Sequence, residues 1–101
     1  MTLFNPQPKQ ITFISEKYLN FVRSMPCSVC GKMDTEAHHI RFAYNSGTGM
    51  KPSDTWAIPL CRHHHRAIHD AGIKTFHAQT GLNIYRELFL VAKRYIEENL
   101  K

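Results

Sequence analysis

The stretch Trp56-Ala-Ile-Pro-Leu-Cys61-Arg-His-His64-His65-Arg-Ala-Ile-His69 decides the fold. Trp56 to Leu60 has strand-like composition, and Pro59 confines that strand to an edge or an end. Arg62 to Ala71 is helical by content and is closed by Gly72, expected in the left-handed conformation just past the helix. At about 100° per residue, Cys61 and His64 centre on one helical face with Ile68, while His65 and His69 centre roughly a quarter turn away. One short helix therefore faces two sites. His63 falls near the opposite side and is read as solvent-facing.

Upstream, Cys27-Ser-Val-Cys30-Gly31 has the form of a metal knuckle, with a glycine where the chain needs a left-handed turn. Cys27-x2-Cys30, thirty intervening residues and Cys61-x2-His64 supply four ligands in two pairs, each pair spaced to reach one tetrahedral Zn2+. Three cysteines cannot pair fully within one chain. The competing reading, buried structural thiols and a surface histidine, does not explain why every cysteine falls in such a pair. Six of the seven histidines lie between His38 and His69. His65 and His69, at i and i+4, can grip one ion together. His38 and His39, on a strand expected over Ala37 to Phe42, point to opposite faces. One is assigned as a ligand beside His65 and His69, and the other is left free as a base. The competing reading makes them two structural histidines, one buried and one exposed.

Working outward, 101 residues fit one domain, with an extended arm at 1–13, the knuckle and histidine segment at 26–72 and helices over 75–100. Pro6 and Pro8 keep the arm open. A first helix runs from Ser15, its cap, to Met25, and Pro26 ends it. Asn45 to Ser53 reads as an exposed loop. Thr75 to Thr80, closed by Gly81, is a short helix, and Asn83 to Leu100 a longer one whose apolar stripe (Tyr85, Leu88, Phe89, Ala92, Tyr95, Ile96 and Leu100) should cover the core. With 43% hydrophobic and 21% charged residues the chain is neither disordered nor a disulfide scaffold. It lacks a run of apolar residues long enough to span a membrane and a signal-like start, so the expectation is a cytoplasmic protein with no membrane partner. A net charge of +5 fits a polyanionic partner, with no strongly basic block.

Taken together, the knuckle, Ala37-His38-His39-Ile40 and Trp56 through His69 resemble the HNH endonucleases of the ββα-metal (His-Me finger) superfamily, over residues 26 to about 72. Within it the chain is most similar to small phage and prophage nucleases of the recombination-enhancement (Ref-like) group, which share a loop like Gly47-Thr-Gly-Met-Lys-Pro-Ser-Asp54 and a helix before the knuckle. The resemblance implies a small α+β fold, a zinc-stabilised ββα-metal core with flanking α-helices. It implies metal-dependent hydrolysis of DNA, with recombination proteins as a further partner class and the host cytoplasm as the location if the chain is phage-encoded.

In the family pattern the first histidine of the pair is a ligand and the second the general base. Carried over, His38, His65 and His69 hold the catalytic ion and His39 activates water, beside a structural Zn2+ on Cys27, Cys30, Cys61 and His64. The middle position, usually Asn, aligns with Trp56, which has no amide. Asp54, two residues earlier, is the candidate substitute, holding the orientation of His39; the alternative is a plain turn or capping residue. Three imidazoles suit Zn2+, Ni2+ or Mn2+ better than Mg2+. Arg41, Lys51, Arg62 and Arg66 lie close in sequence to this centre as candidate phosphate contacts. The rival from another class is a zinc-stabilised DNA-binding or adaptor module without catalysis, supported by Trp56.

Overall fold

Ser15 starts the first helix with its own side chain: Oγ accepts the Tyr18 N–H at 3.1 Å, from an extended backbone, and α1 follows as Glu16–Arg23. The computed structural model describes residues 12–41 and 52–100. Ser24 caps α1, whose last residue, Arg23, lies two before the expected end at Met25. Tyr18 and Val22, one turn apart, are buried, and Tyr18 meets Tyr95 edge-on at 4.8 Å. Burial and then Tyr95 push the Tyr18 hydroxyl up to about 12.

After the knuckle come β1 (Thr35–His39) and, beyond the undescribed residues, a single 3-10 turn (Asp54–Trp56) and β2 (Ala57–Cys61). The strands pair antiparallel, with His38 opposite Ile58 and His39 opposite Ala57. Two expectations need correction. β1 starts two residues earlier than predicted and ends at His39; its pairing is extended by one bond, from Ile40 N–H to the Trp56 carbonyl at 2.8 Å. Trp56 closes the 3-10 turn instead of opening β2. Every residue of β2 is buried, since all three helices pack on it: Ala57 clusters with Tyr18, Val22 and Val91, and Ile58 and Leu60 cluster with Ile68, Phe76 and Leu88. Pro59 is tolerated there because, among the described residues, the sheet has two strands and both are edges.

β2 runs directly into α2 (Arg62–Thr80), with Cys61 as its N-cap. Its helical geometry breaks at Gly72, so the run consists of two helical segments meeting across a kink at this glycine, as the two helices read on either side of Gly72 anticipate. Gly72 has φ +83° and ψ 164°, an extended conformation essentially confined to glycine rather than the left-handed one expected, while Gly81 (φ +72°, ψ 7°) is left-handed and caps the run. A Cβ at position 72 would meet no atom within 4 Å. Gly72→Ala should therefore destabilise the domain through backbone strain alone, by about 1–3 kcal/mol, read as a lower midpoint in thermal denaturation. An unchanged midpoint would mean that the kink relaxes freely.

The last helix, α3 (Ile84–Asn99), is capped by Asn83, whose Oδ1 accepts the Arg86 N–H at 3.1 Å. It buries Ile84, Leu88 and Val91, with Tyr95 half-buried beside them. The predicted stripe is corrected by this finding. Of its members only Leu88 is buried, Ala92 and Tyr95 are half-buried, and Tyr85, Phe89, Ile96 and Leu100 are exposed. Among the described residues the result is a small α+β domain of two antiparallel strands and three helices. Its main core (Ile40, Ile58, Leu60, Ile68, Phe76 and Leu88) includes the thiols Cys27 and Cys61. No helix among the described residues is long and apolar enough to cross a membrane.

Candidate metal centres

The knuckle is built by its backbone. Gly31 N–H donates to the Cys27 carbonyl at 2.9 Å and Cys27 N–H to the Lys32 carbonyl at 2.8 Å, with Gly31 at φ +76°. This turn presents Cys27 and Cys30 to Cys61, the last residue of β2, and to His64 in the first turn of α2. Their four ligand atoms lie within 4.8 Å of one another. Cys30 Sγ stands 3.8 Å from Cys61 Sγ, Cys27 Sγ 3.7 Å from His64 Nδ1, and Cys61 Sγ 3.2 Å from His64 Nδ1. Sulfurs about 2.3 Å from a central Zn2+ are separated by roughly 3.8 Å in a tetrahedron, so the donor set fits that ion.

The electrostatics point the same way. Burial works to raise the Cys27 thiol but is outweighed by the backbone N–H groups of Cys61, Cys30 and Val29, which hold it below its ordinary value. The Lys32 amide works to lower Cys30, but burial and the neighbouring Cys27 and Cys61 thiols outweigh it and push Cys30 up. Crowded thiolates of this kind are relieved by a cation at their centre. Burial first, and then His63, lowers His64, which favours the neutral imidazole a metal needs.

The second group is His38, His65 and His69, whose ligand atoms also lie within 4.8 Å of one another. His38 comes from β1 and is 8% exposed; its ring lies 4.7 Å from that of His65 and 4.9 Å from that of His69. The i, i+4 pair brings His65 Nε2 to 3.2 Å from His69 Nε2. Burial, followed by the charges of His65, His69, His39 and Arg41, pushes His38 down to about 4. It therefore keeps a free lone pair at neutral pH.

Glu36 is the residue the sequence reading missed. Its Oε1 lies 2.7 Å from His65 Nδ1, and its Oε2 lies 3.8 Å from Arg62 Nε. The hydrogen bond from His65 holds the Glu36 carboxyl below its ordinary range, so it is ionised and accepts. Nδ1 of His65 then carries the proton and Nε2 offers its lone pair toward His69. A signal was present: Glu36 sits two residues before His38, on the same strand face. Glu36→Ala should weaken Ni2+ binding to the histidine trio about 10- to 100-fold, measured by titration calorimetry on zinc-loaded protein. Undiminished affinity would show that His65 is oriented without the carboxylate.

His39 faces away from the trio's partner positions toward Asp54, with its Nε2 2.8 Å from Asp54 Oδ1. Asp54 is 2% exposed, and its Oδ2 accepts the Ser15 N–H at 2.7 Å. It opens the 3-10 turn and also reaches His39, so the turn and orienting readings hold together. Of the extended arm read over 1–13, residues 1–11 lie outside the described residues; at its end Phe13 N–H donates to Ser53 Oγ and the Phe13 carbonyl accepts the Asp54 N–H, both at 2.8 Å. His39 still shares an open hollow of about 340 Å³ with His38, His65, His69 and Arg41. A second hollow on the other side of His65 and His69 is lined by Arg62 and Arg66. All three arginines are exposed, as is His63; Lys51 and the glycines Gly47 and Gly49 lie outside the described residues.

Comparison with known proteins places these residues in a wider group. Residues 2–95 match the family model described as "Protein of unknown function (DUF968)". The chain is 36% identical over 66 residues to the uncharacterized protein YdfU of Escherichia coli (strain K12), covering 65% of this chain and 19% of that protein. The chain thus spans well under two thirds of the length of this relative. No solved structure matches it.

Proposed function

The chain belongs to the DUF968 family, and from the chemistry of its two Cys/His centres we propose that it is an HNH-type endonuclease, a metal-dependent hydrolase of DNA phosphodiester bonds on a ββα-metal core. The observation that carries this reading is the convergence of His38, His65 and His69 on one point, beside a fourth histidine held by a buried carboxylate in the same hollow. A structural zinc site does not need the second group. A DNA-binding scaffold has no use for an imidazole whose orientation is fixed by Asp54.

Each residue then has a task. His38, His65 and His69 would hold one divalent cation, which when bound supplies positive charge against the phosphate and the departing oxygen. The Asp54 carboxylate accepts from His39 Nε2 and leaves Nδ1 with the lone pair. Nδ1 takes a proton from water as the water oxygen bonds to phosphorus. The bond from phosphorus to the 3′ oxygen breaks, and that oxygen leaves with a proton from solvent. The products are 5′-phosphate and 3′-hydroxyl ends. Exposed Arg41, Arg62 and Arg66 flank the two hollows where backbone phosphates would lie. The three-imidazole set favours Mn2+, Ni2+ or Zn2+ over Mg2+ as the working ion. The partner is DNA, and recombination intermediates are the substrate class that the Ref-like resemblance suggests.

The test is incubation of the full chain with supercoiled plasmid and each of these ions, beside His39→Ala. Conversion to nicked or linear plasmid that requires both the ion and His39 supports the proposal. A wild-type protein that retards DNA in a gel but cuts with none of the ions is a binding module, and the nuclease reading is then wrong.

A further inference from the structure

We propose that the backbone N–H of Ser15 is a positioning group that makes the tautomer of His39 depend on an acid, and not an amide, at position 54. This deepens the nuclease reading, because it rests on His39 as the base. Three elements distant in the chain meet at one buried carboxylate. Ser15 N–H donates to Oδ2 at 2.7 Å and His39 Nε2 lies 2.8 Å from Oδ1. The Asp54 backbone is clamped as well, its N–H donating to the Phe13 carbonyl at 2.8 Å, while Phe13 N–H donates to Ser53 Oγ. The residues that lead into α1 are thus bound to the segment that leads into β2 by three hydrogen bonds, and the carboxylate cannot turn without breaking one of them.

A carboxylate that accepts on both oxygens, from Ser15 N–H at Oδ2 and from His39 at Oδ1, holds His39 through an Nε2–H whichever oxygen faces it. The lone pair is forced onto Nδ1. An asparagine at position 54 has one accepting and one donating end. Ser15 N–H must keep the accepting end, because two donors cannot face each other at this distance, and the NH2 group is then turned toward His39. Nε2 becomes the acceptor and the proton moves to Nδ1, the atom that has to be bare for catalysis. Ser15 therefore explains why this position carries an acid where an amide of the same shape would fit.

Long-range proton–nitrogen NMR correlation on zinc-loaded, 15N-histidine-labelled protein at mildly alkaline pH reads the tautomer directly and independently of cleavage. The wild type should show Nε2–H at His39. Asp54→Asn should exchange the protonated and bare nitrogen signals, and Asp54→Ala, which holds neither nitrogen, should give a mixture. An Nδ1–H wild type overturns the inference, as does an Asn variant that keeps Nε2–H or merely matches the Ala mixture. A scalar coupling through the hydrogen bond, from Ser15 15N to the Asp54 side-chain carbon, tests the contact without any substitution, and its absence overturns the assignment of Ser15. Failure of the wild type to cleave DNA would sink the nuclease reading and leave these tautomers unchanged. An unaltered tautomer in Asp54→Asn would sink this inference and leave cleavage standing.

Discussion

Zinc-loaded protein should unfold when a chelator strips Zn2+ from the candidate site at Cys27, Cys30, Cys61 and His64, with loss of helical circular dichroism that returns when Zn2+ is restored. Structural zinc sites of this type bind with apparent free energies on the order of 10–16 kcal/mol, as large as the 5–15 kcal/mol by which whole domains are typically stable. Among the described residues the sheet has two strands, and a hairpin of that size is marginal without support. Two of the four ligands, Cys27 and Cys61, belong to the main core itself. The site joins the knuckle to the junction of β2 and α2, so its loss also frees the helix that carries His65 and His69. A melting curve that chelation leaves unmoved would show that the core stands without the ion.

His39→Ala should reduce plasmid nicking by about 10²- to 10⁴-fold, the range in which a positioned general base contributes. Ni2+ affinity at the trio should stay close to wild type in the same variant, because His39 is turned to Asp54 and is not among the three converging histidines. The pair of measurements separates a base from a ligand. His65→Ala should lose both, since it removes a donor atom. Equal nicking by His39→Ala and wild type would remove His39 from its role and transfer water activation elsewhere in the hollow.

Much of the candidate site was legible because its geometry is local. Ligands three residues apart, as in Cys27/Cys30 and Cys61/His64, and histidines at i and i+4 on a helix have positions fixed by backbone geometry before any tertiary contact forms. The division of His38 and His39 between two partners likewise follows from strand alternation. Glu36 escaped because its meaning lies in His65, 29 positions away. The docking of Phe13 to Ser15 on Ser53 and Asp54 escaped for the same reason, across about 40 positions. On α3 the periodicity was real but ambiguous. Ile84, Leu88, Val91 and Tyr95 form one row, Tyr85, Phe89, Ala92 and Ile96 form another one residue later, and both are apolar. Contacts with α1, β2 and the 3-10 turn selected the first. Spacing alone carries no information about which of two neighbouring rows a partner will cover.

Cys61 ends β2, caps α2 and belongs to the first candidate metal centre, while His65, one turn on, belongs to the second. One inserted or deleted codon between them would swing His65 and His69 through about 100° and leave both ion cages unable to close together. Relatives that keep the chemistry should therefore vary in amino-acid identity along this segment far more freely than in its length.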